Sequence, residues 1–148
     1  MSKLHLLLYA SRISPAVEDV LELTIKDILR ISAKRNAACA VTGILIAYRG
    51  WFIQALEGPK AAVSQRFNAI SRDPRHQDLL LLGQGPTLAR VFGNWSMCSS
   101  VLSQKDQSVL EILGRKPSFD PSAYPVAKVF QLLTTVAEGQ RIAVDVVG

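Results

Sequence analysis

The segment from Thr42 to Gly58, TGILIAYRGWFIQALEG, constrains the fold of this 148-residue chain more than any other. Apolar residues on both sides of Arg49–Gly50 predict two strands joined by a tight turn. Side chains alternate between the faces of a strand, so Gln54 shares its face with Phe52 and Leu56. A buried amide without a partner costs about 1–3 kcal/mol. Gln54 therefore either satisfies a neighbouring backbone group or faces a bound molecule that needs both a donor and an acceptor.

The composition indicates a packed globular protein, because 49% of the residues are hydrophobic. No apolar run approaches the roughly 20 residues needed to span a membrane, and no signal-peptide pattern occurs near the N-terminus. Cys39 and Cys98 lack the spacing of metal ligands and make no disulfide framework. We therefore expect a cytoplasmic protein with reduced cysteines, no metal site and no membrane contact.

The formal net charge of +5 permits nucleic-acid binding. The cations are scattered, however, and no basic helix or basic-aromatic strand of a nucleic-acid module occurs. Most of them are interpreted as solvated surface charge, and we expect no nucleic-acid partner. A small ligand that carries a phosphate would use fewer cations, near a loop.

The hydrophobic periodicity predicts the order strand, helix, strand, strand, helix, strand, strand. This order predicts an α+β, ferredoxin-like, five-stranded mixed sheet with two helices on one face, in which the first and third strands are parallel neighbours. The predicted elements are strands over Lys3–Tyr9, Ala40–Tyr48, Trp51–Leu56, Leu79–Gly83 and Trp95–Leu102, and helices over Val17–Lys34 and Pro59–Ser71.

The character of the chain changes after Ser103. Helices are predicted over Lys105–Leu113 and Ser122–Gly139, and the tail Arg141–Gly148 is expected to be a stub of strand or disordered. The two helices would cover the second face of the sheet. We therefore divide the chain into a core of residues 1–102 and a C-terminal helical extension of residues 103–148, which would serve as a cap, a signalling element or an oligomerisation surface.

Three residues of the first predicted helix, Ile28, Ser32 and Asn36, follow each other at four-residue spacing. They therefore lie roughly in line on one side of the helix. An apolar residue, a hydroxyl and an amide in line would suit a flat heteroaromatic ligand with a polar rim. Alternatively, Ser32 and Asn36 are residues of a helix end, where Asn is favoured.

Several motifs in order make the chain resemble the BLUF family of flavin-binding blue-light sensors, from about Lys3 to Ser100. Any one of these motifs would be weak evidence, but their order is specific. They are Leu8-Tyr9-x-Ser11, Ser32-x-x-x-Asn36, Thr42-Gly43-Ile-Leu, Gly50-x-Phe52-x-Gln54-x-Leu56-Glu57-Gly58, Asp73-Pro-Arg75-His76 and Trp95-Ser-Met97.

The resemblance implies a flavin bound non-covalently, FAD with FMN or riboflavin as options. It implies that light drives an electron and a proton from Tyr9 to the flavin and rearranges the hydrogen bonds of Gln54, which leaves a reversible red-shifted state. Trp95 and Met97 would pass this state on. The implied flavin-binding residues are Tyr9, Ser11, Ile28, Ser32, Asn36, Phe52, Gln54, Asp73, Arg75 and His76.

The resemblance implies a sensor rather than an enzyme, with no catalytic residue, because no cyclase or phosphodiesterase domain follows the core. We expect a downstream protein partner of unknown identity and a homodimer or higher oligomer. The apolar stripe Val126–Val136 would pack on the sheet of its own chain or on a partner.

Two alternatives to a photoreceptor remain open. One is a light-independent small hydrolase of ferredoxin-like fold that uses Arg and Asn on a phosphorylated substrate, although no glycine-rich phosphate loop precedes the first helix. The other is a non-photoactive regulatory module that only binds a protein. Turnover in the dark would indicate the first alternative, and a colourless protein without a light response would indicate the second.

Overall fold

A computed structural model describes residues 4–93, 98–102, 107–114 and 116–147. The elements alternate along the chain as predicted, with differences at their ends. They are β1 Leu4–Ile13, α1 Pro15–Glu18, α2 Leu21–Ala38, β2 Thr42–Tyr48, β3 Trp51–Pro59, α3 Lys60–Ser71, β4 His76–Thr87, β5 Cys98–Val101, α4 Gln107–Leu113, a 3₁₀ turn Pro121–Ala123 and α5 Val126–Val147.

The strands form one sheet in the order β4-β1-β3-β2-β5. The first four strands in this order are antiparallel, and β5 adds a short parallel strand beside β2. The prediction of a five-stranded mixed sheet is confirmed. The prediction that the first and third strands are parallel is wrong, since β1 and β3 pair antiparallel. The helical crossover makes β2 run in the same direction as β1, and the hairpin then places β3 between them with the opposite direction.

The hairpin turn consists of Arg49 and Gly50 alone. Both residues have positive φ angles, 50° and 82°. Two-residue turns whose twist matches that of the strands require positive φ at both positions. The turn therefore sets the register in which Leu45 lies opposite Gln54.

The alternation of the strands separates two hydrophobic cores, one on each face of the sheet. The face beneath α2 and α3 buries side chains of odd-numbered β1 residues, and the face beneath α4 and α5 buries Leu8 and Ala10 of the same strand. This arrangement confirms that the C-terminal helices pack on the second face. The first core includes Leu7, Tyr9, Ile25, Leu45, Phe52, Leu56 and Val63. The second includes Ile44, Ile46, Ile53, Val109, Val129, Leu132 and Leu133.

Several predicted boundaries are wrong. The strand predicted over Leu79–Gly83 extends over the whole of β4, because an edge strand exposes polar side chains that interrupt the apolar pattern. The helix predicted from Val17 is two helices, α1 and α2. Of the strand predicted over Trp95–Leu102, residues 95–97 lie outside the described residues, and β5 covers Cys98–Val101.

The tail was predicted to be a strand stub or disordered, but α5 continues to Val147. The β-branched residues of the tail favour strand locally. A helix that has already formed gains one hydrogen bond for each residue added, which outweighs that preference. None of the helices in the described part of the chain has the length and hydropathy of a membrane span.

A buried carboxylate anchors the segment that follows β4. Glu57 is fully buried, and its side chain accepts hydrogen bonds from the backbone N–H groups of Val91 (2.9 Å) and Phe92 (2.5 Å). It also accepts a bond from the Thr42 hydroxyl at 2.9 Å. Arg90 donates to the Thr42 oxygen (2.9 Å) and to the Glu57 carbonyl (3.3 Å). This network fixes the chain on the face opposite α2 and α3.

Candidate functional site

A cleft lies between the sheet and the helices α2 and α3. It encloses about 620 Å³ of space between protein atoms, part of it open to solvent. Its deep part is formed by buried strand residues, and its edges by helix residues and the segment before β4. The lining residues are Tyr9, Ile28, Ile31, Arg35, Leu45, Phe52, Gln54, Arg66, Ala69, Ile70, Asp73, Arg75 and His76.

Tyr9 and Gln54 face each other across the antiparallel pair of β1 and β3. The Tyr9 hydroxyl donates a hydrogen bond to Oε1 of Gln54. The two side chains are 2% and 3% exposed, respectively. Leu45 of β2 continues the same cross-strand row. A phenol and an amide are thus held in contact on the deep wall of the cleft, and a rotation of the amide would replace its acceptor oxygen by a donor.

Burial raises the pKa of the Tyr9 phenol well above its ordinary value of 10.0. The Asp73 carboxylate raises this pKa further, and the Arg66 guanidinium opposes the rise. A phenolate in an apolar surrounding lacks the solvation that it has in water. Tyr9 therefore keeps its proton at every physiological pH and acts as a hydrogen-bond donor to Gln54.

His76 is held in one orientation by two hydrogen bonds. Its Nε2 donates to the carbonyl of Ile70 at 2.7 Å, because a carbonyl can only accept. In the neutral ring Nδ1 is then the acceptor, and it receives the hydroxyl of Ser11 at 2.6 Å. Ser11 is fully buried behind His76 and does not line the cleft. The ring centroid of His76 lies 6.3 Å from that of Tyr9.

Asp73 and Arg75 form a local ion pair at the edge of the cleft. The Asp73 carboxylate accepts from Arg75 Nε (2.9 and 3.0 Å), Nη2 and the backbone N–H (2.9 Å). The hydrogen bonds to the Arg75 side chain lower the pKa of Asp73, against the effect of burial. Arg75 Nη1 also lies 4.0 Å from the Asp27 carboxylate. The charge of Arg75 is therefore largely balanced within the protein.

Asn36 is buried, at 1% exposed, and does not line the cleft. Its Oδ1 accepts a hydrogen bond from Arg66 Nε at 2.9 Å. Its backbone carbonyl accepts from the Val41 N–H at 2.8 Å, in the turn that follows α2. Asn36 thus holds a cleft-lining arginine in place and also belongs to the end of the helix.

The structure brings together seven of the ten residues that the sequence suggested for the site. Ser11 and Asn36 are not among the lining residues, but each is bonded to one of them, Ser11 to His76 and Asn36 to Arg66. Ser32 lies in α2, and its side chain is not among those described. Trp95 and Met97 lie outside the described residues. The seven lining residues are Tyr9, Ile28, Phe52, Gln54, Asp73, Arg75 and His76.

Sequence reasoning missed six residues that line the cleft. The alternation of β2 could have identified Leu45, which shares the cleft face of the sheet with Gln54. Arg66 lies at a half-buried position of α3, where an arginine is an unusual residue and a signal of a polar partner. The missed residues are Ile31, Arg35, Leu45, Arg66, Ala69 and Ile70.

The cleft fits a flavin ring in its chemistry. Flat apolar ligands need apolar walls together with a few placed polar groups. Ile28, Phe52 and Ile70 supply apolar surface, and Gln54 supplies an amide at the deep wall. In the described ranges, no group of three or more His, Cys, Asp or Glu side chains could hold a metal ion. The Tyr9 hydroxyl and the Gln54 amide, next to these apolar side chains, suit the polar edge of a flat organic ligand.

Comparison with known proteins identifies one family. The BLUF family, described as sensors of blue light using FAD, matches residues 4–98. The β subunit of photoactivated adenylate cyclase from Euglena gracilis is 33% identical over 124 residues. That match covers 83% of this chain and 14% of the cyclase subunit, so the chain spans a small part of this relative.

Two solved structures cover most of their own chains as well as most of this one. The dark-state structure of BlrB, a BLUF protein, is 32% identical, with a TM-score of 0.67 and coverage of 92% of this chain and 98% of that chain. The photo-activated state of BlsA has a TM-score of 0.79 at 24% identity, covering 90% and 94% of the two chains. At that identity the likeness to BlsA concerns the fold.

Proposed function

Because this chain belongs to the BLUF family, the sensors of blue light using FAD, we propose that it is a photoreceptor whose light-responsive groups are Tyr9 and Gln54. The observation that carries this proposal is the hydrogen bond from the Tyr9 phenol to Gln54 Oε1 on the deep wall of the cleft.

FAD, when bound, supplies the absorption of blue light and an excited acceptor for an electron. Ile28 and Phe52 would hold the faces of its ring, and Gln54 would meet its polar edge. Asp73 and Arg75 would lie at the edge of the cleft, towards the polar side of the ring or its phosphate tail. Asn36 would act through Arg66, to which its side chain is hydrogen-bonded.

Tyr9 is suited to release an electron and a proton together. Burial keeps the phenol protonated, and its O–H points at Gln54 Oε1, so loss of an electron makes the proton acidic in the direction of the amide. Gln54 can turn or tautomerise while the proton is away from the Tyr9 oxygen. When the electron and the proton have both returned to Tyr9, the amide would present different hydrogen bonds to the cleft, which would give the reversible red-shifted state.

The output must come from an element that already has two states, because one changed hydrogen bond contributes only about 1 kcal/mol. We propose residues 1–102 as the sensor and residues 103–148 as the extension that passes the signal on, together with the strand segment of Trp95 and Met97. The signal would be received by a downstream protein partner. The photoreceptor itself would form a homodimer or higher oligomer and would be located in the cytoplasm. No enzymatic turnover is assigned to these 148 residues.

Difference spectra of the flavin-loaded protein test the proposal. Blue light should produce a red shift that reverses in the dark. Tyr9→Phe and Gln54→Leu should retain flavin and lose the shift. Tyr48→Phe is the matched control, since Tyr48 is buried on the other face, where its ring meets Phe119 edge-on at 4.9 Å. A wild-type protein without the shift, or a Tyr9→Phe variant that keeps it, would contradict the proposal.

A further inference from the structure

The charges that line the cleft do not balance. Four of the lining residues are charged at neutral pH, namely Arg35, Arg66, Arg75 and Asp73. Asp73, the one acid among them, is paired with Arg75 through several hydrogen bonds. Arg35 and Arg66 therefore add two positive charges that no lining carboxylate offsets.

The two arginines lie at the mouth of the cleft and not on its deep wall. The deep wall consists of buried, uncharged side chains, among them Tyr9, Phe52 and Gln54. Arg35 is exposed on α2, and Arg66 is half-buried on α3. The positive charges thus face the part of the cleft where a ligand would leave the protein for solvent.

Arg66 is oriented before any ligand arrives. Its Nε donates to Asn36 Oδ1 at 2.9 Å, so Nη1 and Nη2 are the donors that it can offer to an anion. Burial and the neighbouring Arg35 both lower the pKa of Arg66. Such repulsion between two neighbouring cations favours an anion between them, and a guanidinium fork suits the oxygens of a phosphate.

We infer that Arg35 and Arg66 form an anion subsite for the phosphate of the flavin side chain, so that the cleft prefers phosphorylated flavins over riboflavin. The inference rests on the proposed function, because it concerns the same cleft. A flavin ring has no net charge and matches the uncharged deep wall. A phosphate could not be buried there without a large desolvation cost, so it must lie at the mouth.

Competition between flavins tests the subsite. The full-length protein is equilibrated with equal concentrations of riboflavin, FMN and FAD, and the bound flavins are extracted and quantified. The wild-type protein should bind FMN and FAD over riboflavin by about tenfold or more, the scale of one charge-assisted hydrogen bond. The Arg35→Gln/Arg66→Gln variant should reduce this ratio to within about twofold, while Arg66→Lys should keep part of it.

Arg72→Gln is the matched control, because Arg72 follows α3, is exposed and does not line the cleft. This variant should bind the three flavins as the wild-type protein does. If Arg66→Gln misfolds, as judged by its circular dichroism, the subsite is tested by the ratio of bound flavins in the Arg35→Gln variant, whose substitution is at an exposed position. Inorganic phosphate should lower the preference more than chloride at equal ionic strength, which separates a phosphate site from general screening.

A ratio near one in the wild-type protein, or an unchanged ratio in the double variant, would overturn the subsite. Illumination of the riboflavin-loaded protein separates this failure from that of the photoreceptor proposal. A reversible red shift without a phosphate preference would reject the subsite alone. A phosphate preference without a red shift in any flavin-loaded form would support the subsite and reject the role of Tyr9 and Gln54.

Discussion

Gln54 and Glu57 lie three residues apart on β3 and point to opposite faces of the sheet. Both are buried polar side chains. Gln54 bonds the side chain of Tyr9, whereas Glu57 bonds the backbone N–H groups of Val91 and Phe92. A bond between two side chains can change by rotation of either one. A carboxylate that satisfies backbone donors can change only if the chain itself moves.

The surroundings of Glu57 and Gln54 also differ, since one face of the sheet is close-packed and the other opens into the cleft. Phe92 is fully buried and its ring meets Phe130 of α5 edge-on, with centroids 6.2 Å apart. The Glu57 face is therefore close-packed against the C-terminal helix. The Gln54 face opens into the cleft between α2 and α3. One strand thus joins an adjustable polar group to a fixed one, which is what a sensor that transmits a small change requires.

The largest effect is expected from Glu57→Ala. This change removes the carboxylate that accepts from the buried Phe92 N–H, the Val91 N–H and the Thr42 hydroxyl, so the free energy of unfolding should fall by about 2–6 kcal/mol. Urea unfolding measures the loss. Glu111→Ala, at an exposed site on α4, should change stability by less than about 0.5 kcal/mol. A loss below about 1 kcal/mol for Glu57→Ala would mean that the anchor is not rigid.

A smaller effect is expected when both members of the other pair are made apolar. Tyr9→Phe and Gln54→Leu each remove one partner of the bond between the two side chains and should cost about 1–3 kcal/mol, and the double variant should cost clearly less than the sum of the two single changes. Glu57 allows no such cycle, because two of its donors, the Val91 and Phe92 N–H groups, belong to the backbone and no substitution makes them apolar. Urea unfolding of the wild-type protein, the two single variants and the double variant measures the coupling free energy between the two side chains. Additive costs would show that the two side chains do not act as a pair.

The smallest effect is expected from Asp73→Asn and depends on pH. The pKa of Asp73 in the folded protein lies below its ordinary value of 3.8. Its contribution to stability is therefore fully present above that value and is lost as the pH falls through the lower folded pKa. Thermal unfolding from pH 7 to pH 2 should show a wild-type advantage over Asp73→Asn that disappears in acid. The control Asp19→Asn, on the exposed end of α1, should not reproduce this profile.

Much of the fold was predictable because strand alternation is a local property. The face of β3 that carries Phe52, Gln54 and Leu56 was correctly assigned from the sequence alone, and so was the placement of helices on both sides of the sheet. The extents of β4 and α5 were not predicted. Exposed polar side chains interrupt the apolar pattern of the edge strand β4, and propagation of the helix overrides the local strand preference at the end of α5. The relative direction of β1 and β3 was also missed, because it depends on how the crossover and the hairpin combine.

The candidate site was predictable to the extent that its residues project from predicted elements. Ile28, Phe52 and His76 reach the cleft as the sequence suggested. Arg35 and Arg66 were not suggested, because a cation on a helix is usually solvated. Asp73 is paired with Arg75, so no other carboxylate that lines the cleft offsets the positive charges of Arg35 and Arg66.

The sequence by itself determined the family, the hairpin and the face on which Gln54 lies, because these depend on motif order and on two-residue periodicity. Only the tertiary structure decided which groups meet there. It placed the Tyr9 phenol on Gln54, Asn36 on Arg66 rather than on the cleft surface, and Glu57 under the Val91–Phe92 backbone. The partners in each of these contacts are 30 or more residues apart in sequence, and no local pattern encodes a distance between segments that only packing brings together.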